Sequence, residues 1–276
     1  MFEKSKSYRI FFWISFILIG LFVLFPLYWM INTALKPITE VLTPDIWPKH
    51  PTLVNFMEVF QNKEILLYFK NSFIVSIVTS ILSTFVAAYA AYSFSKYRYK
   101  GRISFMLLIL VSKMFPYAVL LLSIYVMMQT LGMQDSYAAL VVSYITFALP
   151  VAVWTLKTYF DEIPDALVEA AKIDGASNFG IIHKIIFPLA IPGLISTAIY
   201  SFVWSWNDIL YSLTLITSAE KRTLASGLIM TYIGEGNDNW AGMMAASVVV
   251  SIPVAIIFIA VQRFFVQGLT AGAVKG

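Results

Sequence analysis

Six apolar blocks are strung along this chain, near 10–31, 72–95, 103–128, 137–156, 186–212 and 241–262, with polar stretches between them. Each is about 20 residues or longer, enough for a helix to cross the hydrocarbon core of a bilayer. The pattern predicts an all-α membrane protein of six transmembrane helices, folded as one domain over residues 1–276. The third and fifth blocks are long enough to imply tilt, kinks or ends that rise out of the bilayer.

Composition sharpens this reading. Of the 276 residues, 59% are hydrophobic and 12% charged, and the mean hydropathy is +0.79. Soluble domains carry about a quarter charged residues. The first block is too long for a signal-peptide core and lacks a small-residue cleavage site, so it reads as a retained span.

The pI near 9.1 reflects topology rather than nucleic-acid binding. Lys4, Lys6 and Arg9 precede the first block, and Lys96, Arg98, Lys100 and Arg102 fill a short loop without an acid. Placing both in the cytoplasm satisfies the positive-inside rule and puts both termini inside. The segment 157–184 is then cytoplasmic, while 36–70 and 213–240 face outward. Segment 36–70 holds four lysines balanced by four acids.

Several chemistries lack their residues. No cysteine is present, which excludes disulfides and thiolate catalysis. His50 and His183 fall on opposite sides of the predicted membrane, so no shared metal site is expected. No G-x-x-x-x-G-K-[ST] run occurs to cradle ATP phosphates, and no nucleophile elbow is seen. The chain is expected to be no enzyme by itself. An ion-coupled secondary carrier would place carboxylates near the midplane. Here only Lys113 in the third block and Asp208 toward the outer end of the fifth stand out, at depths that predict no direct pair.

The connector 157–184 is unusually elaborate. Pro164 suits a first helical turn, and Asp161, Glu162, Asp165 and Glu169 crowd a helix start, where the dipole favours negative charge. Leu167, Ala170, Ala171 and Asp174 share one small-sided stripe. Gly175 is placed to end the helix in the left-handed conformation, and Ser177 or Asn178 to cap the next, on which Phe179, Ile182 and Ile186 share a face. On helix physics alone, a solvated hairpin joining two spans fits as well as a docking element.

At this point the residues resemble a known family. Glu169-Ala170-Ala171, Asp174-Gly175-Ala176, Phe187-Pro188-Leu189 and Pro192-Gly193 are similar to the EAA loop of ABC importer permeases. The resemblance implies a type I importer permease fold in a bacterial plasma membrane, with 157–184 as the EAA loop and a cytoplasmic coupling helix. It implies that Glu169, Ala170, Ala171, Asp174, Gly175 and Ala176 dock on an ATP-hydrolysing subunit and transmit its closure. ATP and Mg would then belong to two partner ATPase subunits, beside a second, related permease and an extracytoplasmic binding protein.

Two further segments resemble the carbohydrate branch, the six-span maltose-type permease: Trp204-Ser205-Trp206-Asn207-Asp208, and the terminal run from Arg263 to Gly276. With the Lys96–Arg102 loop and the Phe115-Pro116 kink, the resemblance covers nearly the whole chain. It implies a sugar or oligosaccharide as cargo, with Lys113, Phe115, Trp204, Asn207 and Asp208 as pathway candidates. Lys113 departs from the family, in which an uncharged polar residue is more usual, and an acidic or phosphorylated sugar would suit it. Gly268, Thr270, Gly272 and Lys275 are implied to reach the ATPases, and Gly234, Glu235 and Asn237 the binding protein. The alternatives are a permease for a non-sugar solute and, in another class, an ion-coupled carrier.

Overall fold

The structure is a computed structural model that describes residues 6–233 and 238–271, with side chains described as far as Ile259. Among the described residues every regular element is helical. Four helices are long and apolar enough to span a membrane: α1 (Lys6–Ala34), α3 (Lys63–Lys96), α6 (Tyr137–Glu162) and α13 (Trp240–Ala271). Between the first two lies the short α2 (Val54–Gln61).

Two predicted spans are broken, a count still compatible with six crossings. The third resolves into α4 (Arg102–Ser112) and α5 (Leu121–Thr130). The break between them contains Phe115-Pro116, where proline disfavours helical backbone in the residue before it and lacks an N–H of its own. At the start of the fifth, α8 (Asn178–Ile181), a π-turn (Ile182–Ile186) and α9 (Phe187–Leu189) run in from the connector and meet α10 (Ile191–Trp206) at an 82° bend. Pro192 sits in the first turn of α10, where its missing donor costs nothing. A second break at 207–209 leads to α11 (Leu210–Leu215), followed by α12 (Leu224–Tyr232).

The described residues group into two compact units, 6–65 with 228–233 and 238–255, and 66–227 with 256–271. In the first unit Lys36 is fully buried. Its ammonium donates to the carbonyls of Thr43 at 2.7 Å and Asp45 at 3.2 Å. Asn55 donates to the carbonyls of Ala34 and Lys36 at 2.8 and 2.9 Å. These bonds satisfy the buried backbone of a non-helical segment that would otherwise carry unpaired polar groups.

The second unit is built around α6 and α10. Small residues make this packing close: a Cβ added to Gly193 on α10 would lie 2.5 Å from the Tyr159 ring on α6. Ser72, Ser76, Thr79, Ser80 and Ser83 are buried along α3, and Ser196, Thr197, Ser201 and Ser205 along α10. The Ser80 hydroxyl donates to the Ala198 carbonyl at 2.7 Å. Small, weakly polar interfaces are how helices associate where lipid removes the hydrophobic drive between them.

Candidate functional site

The connector that follows α6 folds as a rigid hairpin. Helix α7 (Asp165–Ile173) begins after Pro164 and ends with Asp174 as C-cap. Gly175 has φ +80°. Its N–H bonds to the Lys172 carbonyl at 3.1 Å, and the Ala176 N–H reaches the Ala171 carbonyl at 2.9 Å. This Schellman pairing needs a left-handed residue at Gly175 and satisfies two carbonyls of the last turn. Ser177 then caps α8, accepting from the Gly180 N–H at 3.2 Å.

The helix is anchored on one face only. Val168 and Ala171 are buried in a cluster with Tyr92 of α3, Phe160 of α6 and Ile181. Glu169, Ala170, Asp174, Gly175 and Ala176 stay exposed, as do Leu167, Ile173 and Phe179. Ala171 is therefore corrected from the docking stripe to the inner face, because its neighbour Val168 pulls that side of the helix into the core.

Phe179 likewise leaves the face it was expected to share with Ile182 and Ile186, both of which are buried. Its ring lies tilted against that of His183, with centroids 4.0 Å apart. The rotation of 100° per residue sets position i+4 nearer to Phe179 than position i+3.

Charges tie α7 to the end of α3. Lys96, its side chain only 5% exposed, donates to the Ile163 carbonyl at 2.6 Å and to Asp165 Oδ1 at 2.7 Å. Ser95 donates to Asp161 at 2.7 Å, and Lys157 pairs with Asp161 at 2.5 Å. The Lys96 ammonium holds the Asp165 carboxyl below its ordinary value.

A second constellation forms at the other end of α10. Trp204, Asn207, Asp208, Tyr117 and Tyr200 line an open pocket of about 420 Å³. Trp204 packs edge-on against Tyr117 with centroids 5.5 Å apart, and the Lys113 ammonium lies 4.3 Å above the Trp204 ring. Asp208 is buried and accepts from the hydroxyls of Tyr117 and Tyr144, the latter at 2.6 Å. It also accepts the backbone N–H groups of Tyr211 at 3.4 Å and Ser212 at 3.0 Å, and so caps the start of α11. The polar contribution to a ligand expected of Asp208 is spent inside the protein. Lys113 and Asp208 form no ion pair among the described residues.

Residues 83–271 match the family model of the binding-protein-dependent transport system inner membrane component. The chain belongs to that family. An inner membrane ABC transporter permease protein, YcjP, of Escherichia coli is 37% identical over 278 residues, covering 99% of both chains. The galactooligosaccharides transport system permease protein GanQ of Bacillus subtilis is 36% identical, covering 92% of this chain and 91% of its own. Among solved structures, a bacterial ABC transporter involved in import of the acidic polysaccharide alginate shares the fold. That match has a TM-score of 0.78 at 23% identity, covering 96% of this chain and 100% of that one.

In this permease, α7 and its cap lie inside the matched region. Phe115 is exposed and outside the pocket lining. Gly234, Glu235, Asn237, Gly272 and Lys275 lie outside the described residues, and for Gly268 and Thr270 only the backbone is described. Sequence reading missed Lys96 as the anchor of α7, since it was read only as a topology charge. It also missed Tyr117 and Tyr144, which are indistinguishable in sequence from interfacial aromatics.

Proposed function

We propose that this permease subunit imports a sugar or oligosaccharide by ATP-driven alternating access, together with a second permease, two ATPase subunits and an extracytoplasmic binding protein. It resides in a bacterial inner membrane with both termini cytoplasmic, and ATP and Mg act on the partner ATPases. The observation that carries the reading is the capped helix α7, which is buried on one side at Val168 and Ala171 and exposed at Glu169, Ala170, Asp174 and Gly175.

A rigid element clamped to two spans converts movement of a docked partner into movement of those spans, provided the partner contacts it differently in two states. Gly268, Thr270, Gly272 and Lys275 are proposed to supplement that contact, and Gly234, Glu235 and Asn237 to meet the binding protein. The sugar class is supported by GanQ, a relative named for galactooligosaccharides that aligns over nearly the whole chain. Trp204 and Asn207 fit such a cargo, offering an aromatic face and an amide at one pocket.

The test is sugar uptake by vesicles of the reconstituted complex with and without the ATPase subunits. Uptake that vanishes without them, and that Gly175→Pro and Glu169→Lys each abolish with the complex still assembled, supports the reading. Gradient-driven uptake in their absence would point to an ion-coupled carrier instead.

A further inference from the structure

Lys113 is a charged side chain that the mechanism above leaves without a task. It follows α4 directly, eleven residues after Arg102, or roughly 16 Å along the helix at 1.5 Å per residue. A side chain at that depth reaches neither bilayer surface easily. The five ion pairs among the described residues all lie elsewhere. The ammonium rests instead on the indole of Trp204, which walls the open pocket.

A ring face compensates a desolvated cation only in part. Intramembrane charge of this kind marks a pathway when it borders a cavity. Two further features bear on what would complete it. Among the described residues the Trp204 Nε1 is buried without a partner, an unused donor on the ring over which the cation lies. The nearby carboxylate, Asp208, already receives two hydroxyls and two backbone N–H groups, so its oxygens are not offered to Lys113. The aromatic wall of the pocket is thus backed by a cation that has no ion-pair partner among the described residues.

We propose that this pocket is selective for anionic glycosides, sugars bearing a carboxylate, sulfonate or phosphate, with Lys113 as the residue that reads the charge. The inference rests on the sugar-import reading and deepens it. An anion at the pocket gives Lys113 a charge-assisted partner, whereas a neutral sugar leaves the ammonium no better satisfied than before. Selectivity then arises from the cost of leaving that charge unpaired.

The experiment uses the complete complex, with its binding protein, in phosphatidylcholine vesicles, and compares uptake of trigalacturonate with that of maltotriose. Lys113→Gln and Lys113→Met are each measured against wild type, and Lys113→Arg serves as the charge-retaining control. The expected result is a loss of at least about tenfold in the uronate-to-neutral uptake ratio for Gln and Met, the scale of one charge-assisted bond, with most of the ratio kept by Arg.

An unchanged ratio in Gln and Met variants that assemble normally overturns the proposal. So does a loss equal for both sugars, which would make Lys113 structural. A ratio that follows added phosphatidylglycerol rather than the sugar's charge also overturns it, by assigning the cation to lipid. Wild-type complex that takes up neither sugar nor any other glycoside, yet carries another solute, overturns the sugar reading itself, and that failure is distinct from the others.

Discussion

Lys96, at the end of α3, and Asp165, in the first turn of α7, are joined by an ion pair of 2.7 Å. The asymmetry of the pair matters more than its strength. Asp165 is 68% exposed and Lys96 is 5% exposed, so the Coulomb term is screened at one end. The buried ammonium also holds the Ile163 carbonyl, and losing it would strand that acceptor. Lys96→Met should therefore lower transport several-fold relative to ATP hydrolysis, with Asp165→Asn milder. Uptake and hydrolysis measured on the same vesicles check this, and a fixed ratio between them would count against Lys96 as a positioning residue.

Gly175 carries φ +80° and faces open space, with no heavy atom within 4 Å of the place a Cβ would take. Substitution therefore costs backbone strain alone. Gly175→Ala should destabilise α7 by about 1 kcal/mol, and Gly175→Asn by less, since Asn tolerates the left-handed region. Hydrogen exchange of the α7 amides reads the difference directly.

Gly193 presents the opposite situation, with ordinary backbone but no room. A Cβ there meets Tyr159 at 2.5 Å. Gly193→Ala should cost about 1–3 kcal/mol by overpacking, and Tyr159→Leu in the same chain should recover part of it. Thermal melts of the four variants of the double-mutant cycle test the coupling.

Asp135 anchors the loop after α11. Its carboxylate accepts from Lys221 at 2.8 Å and from the N–H groups of Thr217 and Ser218 at 3.0 and 2.9 Å. The Lys221 ammonium, with Ser218, holds the carboxyl well below its ordinary value of 3.8. The folded state thus favours the charged form, and this contribution is complete above pH 3.8 and lost only as pH falls through the lower folded value. Asp135→Asn should cost about 1 kcal/mol at neutral pH. The melting difference from wild type should stay level down to about pH 4 and narrow below it.

How much of this was legible in the sequence differs by element. Helix α7 and its Gly175 terminus could be read directly, and the next cap was narrowed to Ser177 or Asn178, because capping is local chemistry encoded within a few residues; the structure decides for Ser177. The inner face of α7 could not be, since whether Ala170 or Ala171 turns inward depends on what Phe160 and Ile181 bring against it. The break at Phe115-Pro116 was visible as a kink, but not its extent.

The WSWND segment divides in the same way. Its aromatic and amide content was evident, and Trp204, Asn207 and Asp208 do meet at one pocket. That Asp208 is claimed by Tyr117 and Tyr144, distant by 91 and 64 positions, is a long-range fact with no periodic signature. Trp206, by contrast, packs against Phe69 and Phe202 and away from the pocket lining.

By itself the sequence determined membrane residence, the helical class, the family and the capped hairpin, because hydropathy is read within one span and proline, glycine and capping residues act over one or two turns. Only the tertiary structure decided which face of α7 stays free, that Lys96 anchors it, that Asp208 is satisfied internally and that Lys113 lies over the Trp204 ring with no ion pair among the described residues. Those outcomes depend on which buried donors and acceptors meet across helices. In a low-dielectric interior each such pairing is settled by the partners available, not by the residue alone.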